Sequence, residues 1–561
     1  MIPKTVEEES GLLKEIQNKS LPVRLKTYLR LTGPGFLQSA LALGGGSMAS
    51  SLYLGVLTGY SMLWLQPLAM LLGIVMLGAL GYITLVTQEK PFQAINKHVN
   101  PVLGWAWALA ALLASIVWSL PQFSLANGVV QQNLMPGVFG TGGSLEGSTG
   151  LLIVSLIMFF ITYSVTWNYN RGRSGVRFYE LLLKGVVAVI VLSFIGVVVR
   201  LTFIAGAIDW AALGQGFIPK PSLIFRPADG FVPLLAGLSE TSREYWTELI
   251  VNRQQNVLAA ALSSAVGINM TFLFAYSMLR RRWGAEYKGL MRFDLIGGML
   301  IPFMLVVSCV IIAATSQFHT VPQPGIIDEF PAQWQPDAGQ VNEYNRLIES
   351  RILYEFGGND ISAEKIAEYA EALDREDHIL AATLITRDAF DLSFALQPLL
   401  GSIFGHIIFG IGVLGMALSS ITLMMIISGF VICEILDRPY TGWEFRLGAL
   451  LPGIGILGPF FWDQAYFWLA IPTSIITLML LPIAYVTFLL MINNKSLMGQ
   501  FMPSGINRIV WNTLMILSVS LISAASLYML WTRGGFWGLA VLFIFLVAVG
   551  IAGRGNSPDA G

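Results

Sequence analysis

The chain has 561 residues, of which 55% are hydrophobic and only 12% charged, and its mean hydropathy is +0.67. A soluble globular protein carries roughly twice that charged fraction, so the composition excludes a water-soluble domain and points to an all-α polytopic membrane protein. A net charge of −1 gives no reason to expect a nucleic-acid partner.

The stretch up to Arg30 is polar and charged. It lacks the short apolar core of a cleavable signal, and residues 1–30 are expected to form a cytoplasmic N-terminal segment. A spanning helix needs about 20 mostly apolar residues. In chain order, that criterion predicts spans at Leu31–Leu57, Tyr60–Val86, Val102–Val130, Leu151–Trp167, Tyr179–Phe203 and Asn256–Arg280. It continues with Met291–Phe318, Ala395–Leu436, Phe445–Trp462, Gln464–Asn493, Arg508–Trp531 and Phe536–Ala552, roughly 11–12 helices in all. Ala395–Leu436 is too long for one straight crossing and is expected to overrun the bilayer or to bend near Gly415 or Ser419-Ser420.

The first span is interrupted at its middle by Gly44-Gly45-Gly46-Ser47. Four weak helix formers in a row favour local unwinding, and unwound backbone at mid-membrane survives only against protein or a wet cavity. Many secondary transporters place their substrate at such a break. The alternative is that the glycines simply let helices pack closely.

Positive charge sets the orientation. Arg171, Arg173 and Arg177 follow the fourth span, and Arg280, Arg281, Arg282, Lys288 and Arg292 follow the sixth; both loops fall on the cytoplasmic side. The loop His319–Ser393 then lies outside. It carries Asp328, Glu329, Glu364, Glu368, Glu371, Asp374, Glu376 and Asp377, as a solvated acidic surface or as a cation-attracting vestibule. Its stretch Ser362–Leu373 is expected to be helical. Between Ala205 and Gln255, the run Glu240, Arg243, Glu244, Glu248 and Arg253 predicts an amphipathic surface helix and not a span.

Within the spans, Ser119, Pro121 and Gln122 are expected to break the third, and Pro472, Thr473 and Ser474 to interrupt the tenth. His406 serves an interhelical hydrogen bond or a titrating or ligating role. Glu180 and Asp294 sit beside Arg177 and Arg292 and are expected to form local ion pairs. Trp105, Trp107, Trp462 and Trp468 match an interfacial aromatic belt. Cys309 and Cys433 lie in apolar segments, as small buried residues do. No nucleotide loop, nucleophile elbow or His/Cys metal spacing occurs, so no cofactor and no enzymatic activity is expected.

Gly33-Pro34-Gly35-Phe36-Leu37, Ser39, Gly46, Ala49, Leu52, Gly55, Gly59-Tyr60 and Leu63-Trp64 fall without a gap on the first-helix pattern of the natural resistance-associated macrophage proteins (Nramp). Gly175, Arg177 and Glu180 match that family's fifth helix, and Arg292-Phe293 its seventh. Leu399-Leu400-Gly401, Phe409-Gly410-Ile411-Gly412 and Ser419-Ser420 resemble its eighth, and Pro482 with Leu497-Met498-Gly499 the exit of its tenth. The resemblance runs from about Leu31 to Gly499. It implies a LeuT-type fold of two inverted five-helix repeats with helices 1 and 6 broken, the second break near Gly267-Ile268-Asn269-Met270-Thr271. It also implies a transporter of divalent metal cations.

The family's D-P-G-N signature of helix 1 falls here on Gly44, Gly45, Gly46 and Ser47. Its M-P-H signature of helix 6 falls on Asn269, Met270 and Thr271, or with a one-residue shift places Met270 at the ligating position. The family's helix-10 glutamine falls on Ser474, and its helix-3 proton-pathway acids fall near Ser119 and Gln122. The resemblance thus implies a substrate site built from Gly44, Gly45, Gly46, Ser47, Asn269, Met270, Thr271 and Ser474, without a carboxylate. Transition metals prefer imidazole, thioether or carboxylate ligands, whereas magnesium keeps several waters when bound. The expected cargo is therefore a hydrated dication such as magnesium or another small polar solute, not proton-coupled manganese or iron. The alternative is a non-transporting sensor or partner-binding protein that keeps the fold. The expected organisation is a transporter core over 31–500 with extracellular insertions at 205–255 and 319–393, then additional helices and a tail over 501–561, in the plasma membrane.

Overall fold

The computed structural model describes residues 6–16, 18–31, 33–169, 185, 192, 195–205, 208–327, 336, 338–357, 361–388, 391–393, 401, 407–461 and 468–554. Among them the chain is helical with no strand, and nine helical stretches are long and apolar enough to cross a membrane. Arg171, Arg173, Gly175, Arg177, Glu180, His406 and Trp462 lie outside the described residues.

The polar N-terminal segment forms α1 (Val6–Ile16) and α2 (Leu21–Leu31). Of their apolar side chains, Leu13, Ile16, Tyr28 and Leu31 are buried, whereas Leu21, Val23, Leu25 and Leu29 are exposed. Ser10 Oγ donates to Glu286 Oε1 at 2.8 Å, so the segment is docked on the loop after the sixth span.

The first span is two helices, α3 (Pro34–Ala42) and α4 (Gly45–Thr58). α5 (Leu65–Thr87), α6 (Pro101–Val129) and α7 (Ser148–Tyr169) follow. α6 runs unbroken through Pro121; the expected break at Ser119–Gln122 does not form.

The sixth span is also two helices, α8 (Glu240–Ala265) and α9 (Ile268–Arg280). The charged run expected as a separate surface helix is the first half of α8. Trp246, Ile250 and Gln254 on it are buried, and residues of the long acidic loop cover it. The seventh span joins α10 (Lys288–Leu295) to α11 (Ile301–Phe318) through a π-helical turn at Ile296–Leu300. The acidic loop folds into α12 (Ala338–Glu355), α13 (Ala363–Ala372) and α14 (Arg375–Thr383), with α13 where helical character is expected. Its acids are not all solvated. Asp377 is fully buried and accepts from Ser242 Oγ at 3.0 Å and Trp246 Nε1 at 2.6 Å, with Arg351 Nε at 3.4 Å.

α15 (Phe409–Ile435) is helical through Gly415 and Ser419-Ser420. α16 (Trp443–Leu450) begins the ninth span, and α17 (Ala470–Ile492) contains Pro472, Thr473 and Ser474 in its first turns without interruption. Gly505–Arg554 is a pair of helices, α18 and α19, meeting at Gly535, whose φ of 52° and ψ of −142° break the helical path.

α15 packs along α6, α4 along α11, and α8 along α17. In a bilayer such contacts depend on small residues that let backbones approach. At Gly55 an added Cβ would lie 2.7 Å from Ala314 Cβ and 2.8 Å from the Ile311 carbonyl oxygen. Trp107 is not a belt residue: it is fully buried, stacked on Phe272 with ring centres 4.0 Å apart. Both cysteines are buried free thiols. Asp294 is fully buried; its Oδ2 accepts from Gly35 N at 2.6 Å and Gly33 N at 3.4 Å. It therefore caps the N-terminus of α3, where the sequence alone suggests a local pair with Arg292.

Candidate substrate site

The break in the first span is short. Gly44 alone is extended, with φ −69° and ψ −179°, while Gly45, Gly46 and Ser47 form the first turn of α4. The expected four-residue unwinding is thus one residue, because the next three amides begin a new helix. The sixth span breaks at Val266 and Gly267, both extended. Asn269, Met270 and Thr271 form the first turn of α9 and not the break itself. Gly73 on α5 permits this arrangement: an added Cβ would meet Val266 Cγ2 at 2.1 Å.

Four half-helix ends therefore converge. α4 and α9 present amide ends, and α3 and α8 present carbonyl ends, each with partial charge. Between them lies a small cavity. Gly46, Ser47, Asn269 and Met270 line it, together with Ser263, Ser264, Trp118, Gln122 and the apolar Leu41 and Met424.

Of the eight residues singled out from the sequence, those four meet at the cavity. Gly45 is one step removed: its N–H donates to Gln122 Oε1 at 3.3 Å. Gly44 packs against Ser420, with an added Cβ 2.5 Å from its Oγ. Thr271 Oγ1 accepts from Trp107 Nε1 at 2.8 Å and donates to the Ile268 carbonyl. Ser474 Oγ donates to the Ala470 carbonyl at 2.6 Å, and its own carbonyl accepts from Ser263 Oγ at 2.8 Å. Thr271 and Ser474 are thus absorbed in holding helices together.

The lining residues themselves are tied. Ser47 Oγ donates to the Ser264 carbonyl at 3.2 Å, which pins α4 to α8. Asn269 Nδ2 reaches Ser115 Oγ at 3.4 Å, and Met270 Sδ accepts from Gly267 N–H at 3.3 Å. Behind them Ser50 Oγ lies 3.2 Å from Ser264 Oγ, and Gln66 Nε2 donates to Ser50 Oγ at 3.0 Å. Ser263 and Ser264 close α8 just before its break, a placement visible only once the break is located. Met424 comes from α15, far along the chain.

No lining residue is ionisable, and among the described residues no group of three His, Cys, Asp or Glu could hold a metal ion. Hydroxyl, amide and thioether groups with four helix ends can exchange hydrogen bonds with a polar solute. They supply no full charge to offset stripping a dication of its water.

A sequence model of the "Natural resistance-associated macrophage protein-like" family matches residues 35–341 and 370–532. The chain belongs to the Nramp family. Part of this Nramp protein also aligns with the "Divalent metal cation transporter MntH" of Bradyrhizobium diazoefficiens, 25% identical over 202 residues. That alignment covers 36% of this chain and 40% of the relative. Among solved structures, the manganese transporter of Eremococcus coleocola in complex with an aromatic bis-isothiourea substituted compound matches with a TM-score of 0.59. Identity is 15%, over 96% of this chain and 97% of that one. A mutant of the same transporter matches with a TM-score of 0.60, again at 15% identity over 96% and 97% of the two chains. The fold of this Nramp protein is LeuT-type, and its apolar helices make it an integral membrane protein.

Proposed function

We propose that this Nramp protein is a secondary transporter that works by alternating access at the cavity between the first and sixth spans. We further propose that its cargo is a largely hydrated divalent cation such as magnesium. The observation that carries this reading is the meeting of two helix breaks around a cavity lined by polar but uncharged groups beside the apolar Leu41, Trp118 and Met424. Family membership supplies the cargo class. The neutral lining favours a cation that keeps its water shell, because Ser47, Asn269, Gln122 and the carbonyl ends of α3 and α8 can accept hydrogen bonds from bound waters. It disfavours manganese or iron(II) held by direct ligands, and it provides no carboxylate in the cavity for proton coupling. The plasma membrane with a cytoplasmic N-terminus is the proposed setting.

The test is uptake by purified protein in proteoliposomes, with magnesium and manganese compared against empty liposomes. Saturable magnesium uptake without manganese uptake is expected, and Asn269→Ala should weaken it. Saturable manganese uptake by the wild type would overturn the argument from the neutral lining. If neither ion moves, metal transport is the wrong function, and a sensor or partner-binding role takes its place.

A further inference from the structure

We propose that the groove between the end of α7 and the start of α16 binds the headgroup of an anionic phospholipid. It is separate from the transport cavity, with Tyr163, Thr166, Trp167, Thr441, Phe445 and Arg446 in its walls. The Arg446 guanidinium lies over the Trp167 ring, 3.8 Å from its centre. Arg446 is exposed, and among the described residues no carboxylate pairs with it. Its neighbour Arg438 differs, because that guanidinium reaches Glu444 Oε1 at 3.8 Å.

Depth identifies the ligand. Trp167 closes the apolar span Ser148–Asn168, and Arg446 stands in the first turn of the span Trp443–Phe461. The pair thus sits at the ends of two adjacent apolar spans, the level expected of lipid phosphates. Below it on the same helices, Phe160 is 62% and Leu447 51% exposed, an apolar surface suited to lipid chains. A guanidinium stacked on an indole keeps its N–H edge free, and that edge matches phosphate oxygens in bidentate fashion. The Thr441 hydroxyl offers a further donor. An arginine that merely snorkelled would extend its head into water; here the ring holds the side chain in the groove before any ligand arrives. Basic pockets between helices on the cytoplasmic side are suited to anionic headgroups.

The experiment is native mass spectrometry of the full-length protein in detergent, titrated with phosphatidylglycerol or with phosphatidylcholine of the same chains. Wild type should retain phosphatidylglycerol saturably and in preference to phosphatidylcholine. Arg446→Gln should weaken that retention at least about tenfold, because it removes the charge and the bidentate contact, while Arg438→Gln leaves it unchanged. Arg446→Lys keeps the charge without the planar, bidentate guanidinium and should fall between; it carries the test if Arg446→Gln does not fold. Equal retention of the two lipids, or an Arg446→Gln protein that binds like wild type, overturns the proposal. So does full competition by inorganic phosphate, which would show recognition of the anion without its lipid. Each readout is independent of transport.

Discussion

His319 shows how one side chain ties an end of the first span. It stands just beyond α11, with Nδ1 2.9 Å from the Val56 carbonyl oxygen near the end of α4. Gly59 and Gly230 leave it room: an added Cβ at either would come within 3 Å of the ring. Burial lowers its pKa below the usual histidine value, with the bond to Val56 opposing that shift. The sign follows from linkage. The unfolded chain takes up a proton near pH 6.5, while the folded protein resists it. In that window the unfolded state binds more protons, so stability falls as pH drops below about 6.5 and levels off below the folded pKa. His319→Gln, which can still donate to Val56, is expected to flatten this acid-side loss in melting temperatures measured from pH 7.5 down to pH 5.5. An unchanged slope in the variant would remove His319 as its cause.

At the scale of elements, the two breaks depend on contacts as much as on weak helix formers. All three glycines of the first break are closely packed. An added Cβ at Gly46 would lie 2.2 Å from the Trp118 ring, and one at Gly45 2.7 Å from Leu125 Cδ2. The packing role set against unwinding is therefore present alongside it, and the two are one device: helix ends meet only if nothing stands between them. Restoring a carboxylate at position 44 tests this. In Gly44→Asp the new Cβ meets Ser420 Oγ at 2.5 Å and the Leu41 carbonyl oxygen at 2.9 Å, and overpacking of this kind costs about 1–3 kcal/mol. Gly44→Asp is expected to melt below wild type, and adding Ser420→Gly should recover part of the difference. A double variant no more stable than the single one would show that Ser420 is not the obstacle.

At the scale of the molecule, the acidic loop is a cap over one end of the bundle. Glu343 of α12 accepts from Thr386 N at 2.9 Å and lies 3.4 Å from Arg253 of α8. Tyr53 of α4 donates to the Arg387 carbonyl, and Gln132, just past α6, donates to Asp388 Oδ2 at 3.1 Å. The cap thus fastens three spans that line the cavity, and the proposed alternating access requires those ties to loosen. Tyr53→Phe removes one hydrogen bond, about 1 kcal/mol, which shifts an opening equilibrium about fivefold. In a Ser47→Cys background, it should speed labelling by a membrane-impermeant thiol reagent added on the side of the cap by about that factor. Equal labelling rates would mean that this tie does not hold the cap shut.

Sequence alone determined the membrane class, most span positions, the two broken helices and the family. Those depend on local properties: runs of apolar residues, glycines at mid-span, and motifs kept in order along one stretch of chain. It did not determine where each break falls to the residue. That depends on which amides can start the next helix turn, and Gly45–Ser47 and Ile268–Met270 do so once packed. Nor could it show that Glu240–Arg253 continues α8, because that helix is covered by Arg351 and Asp377 about a hundred residues onward. Ser263, Ser264 and Met424 joined the cavity for the same reason. Thr271 and Ser474 left it because Trp107 and Ala470 took their hydroxyls. Helix breaks are written locally, but the side chains that face the space between them are chosen by helices brought together from distant parts of the chain.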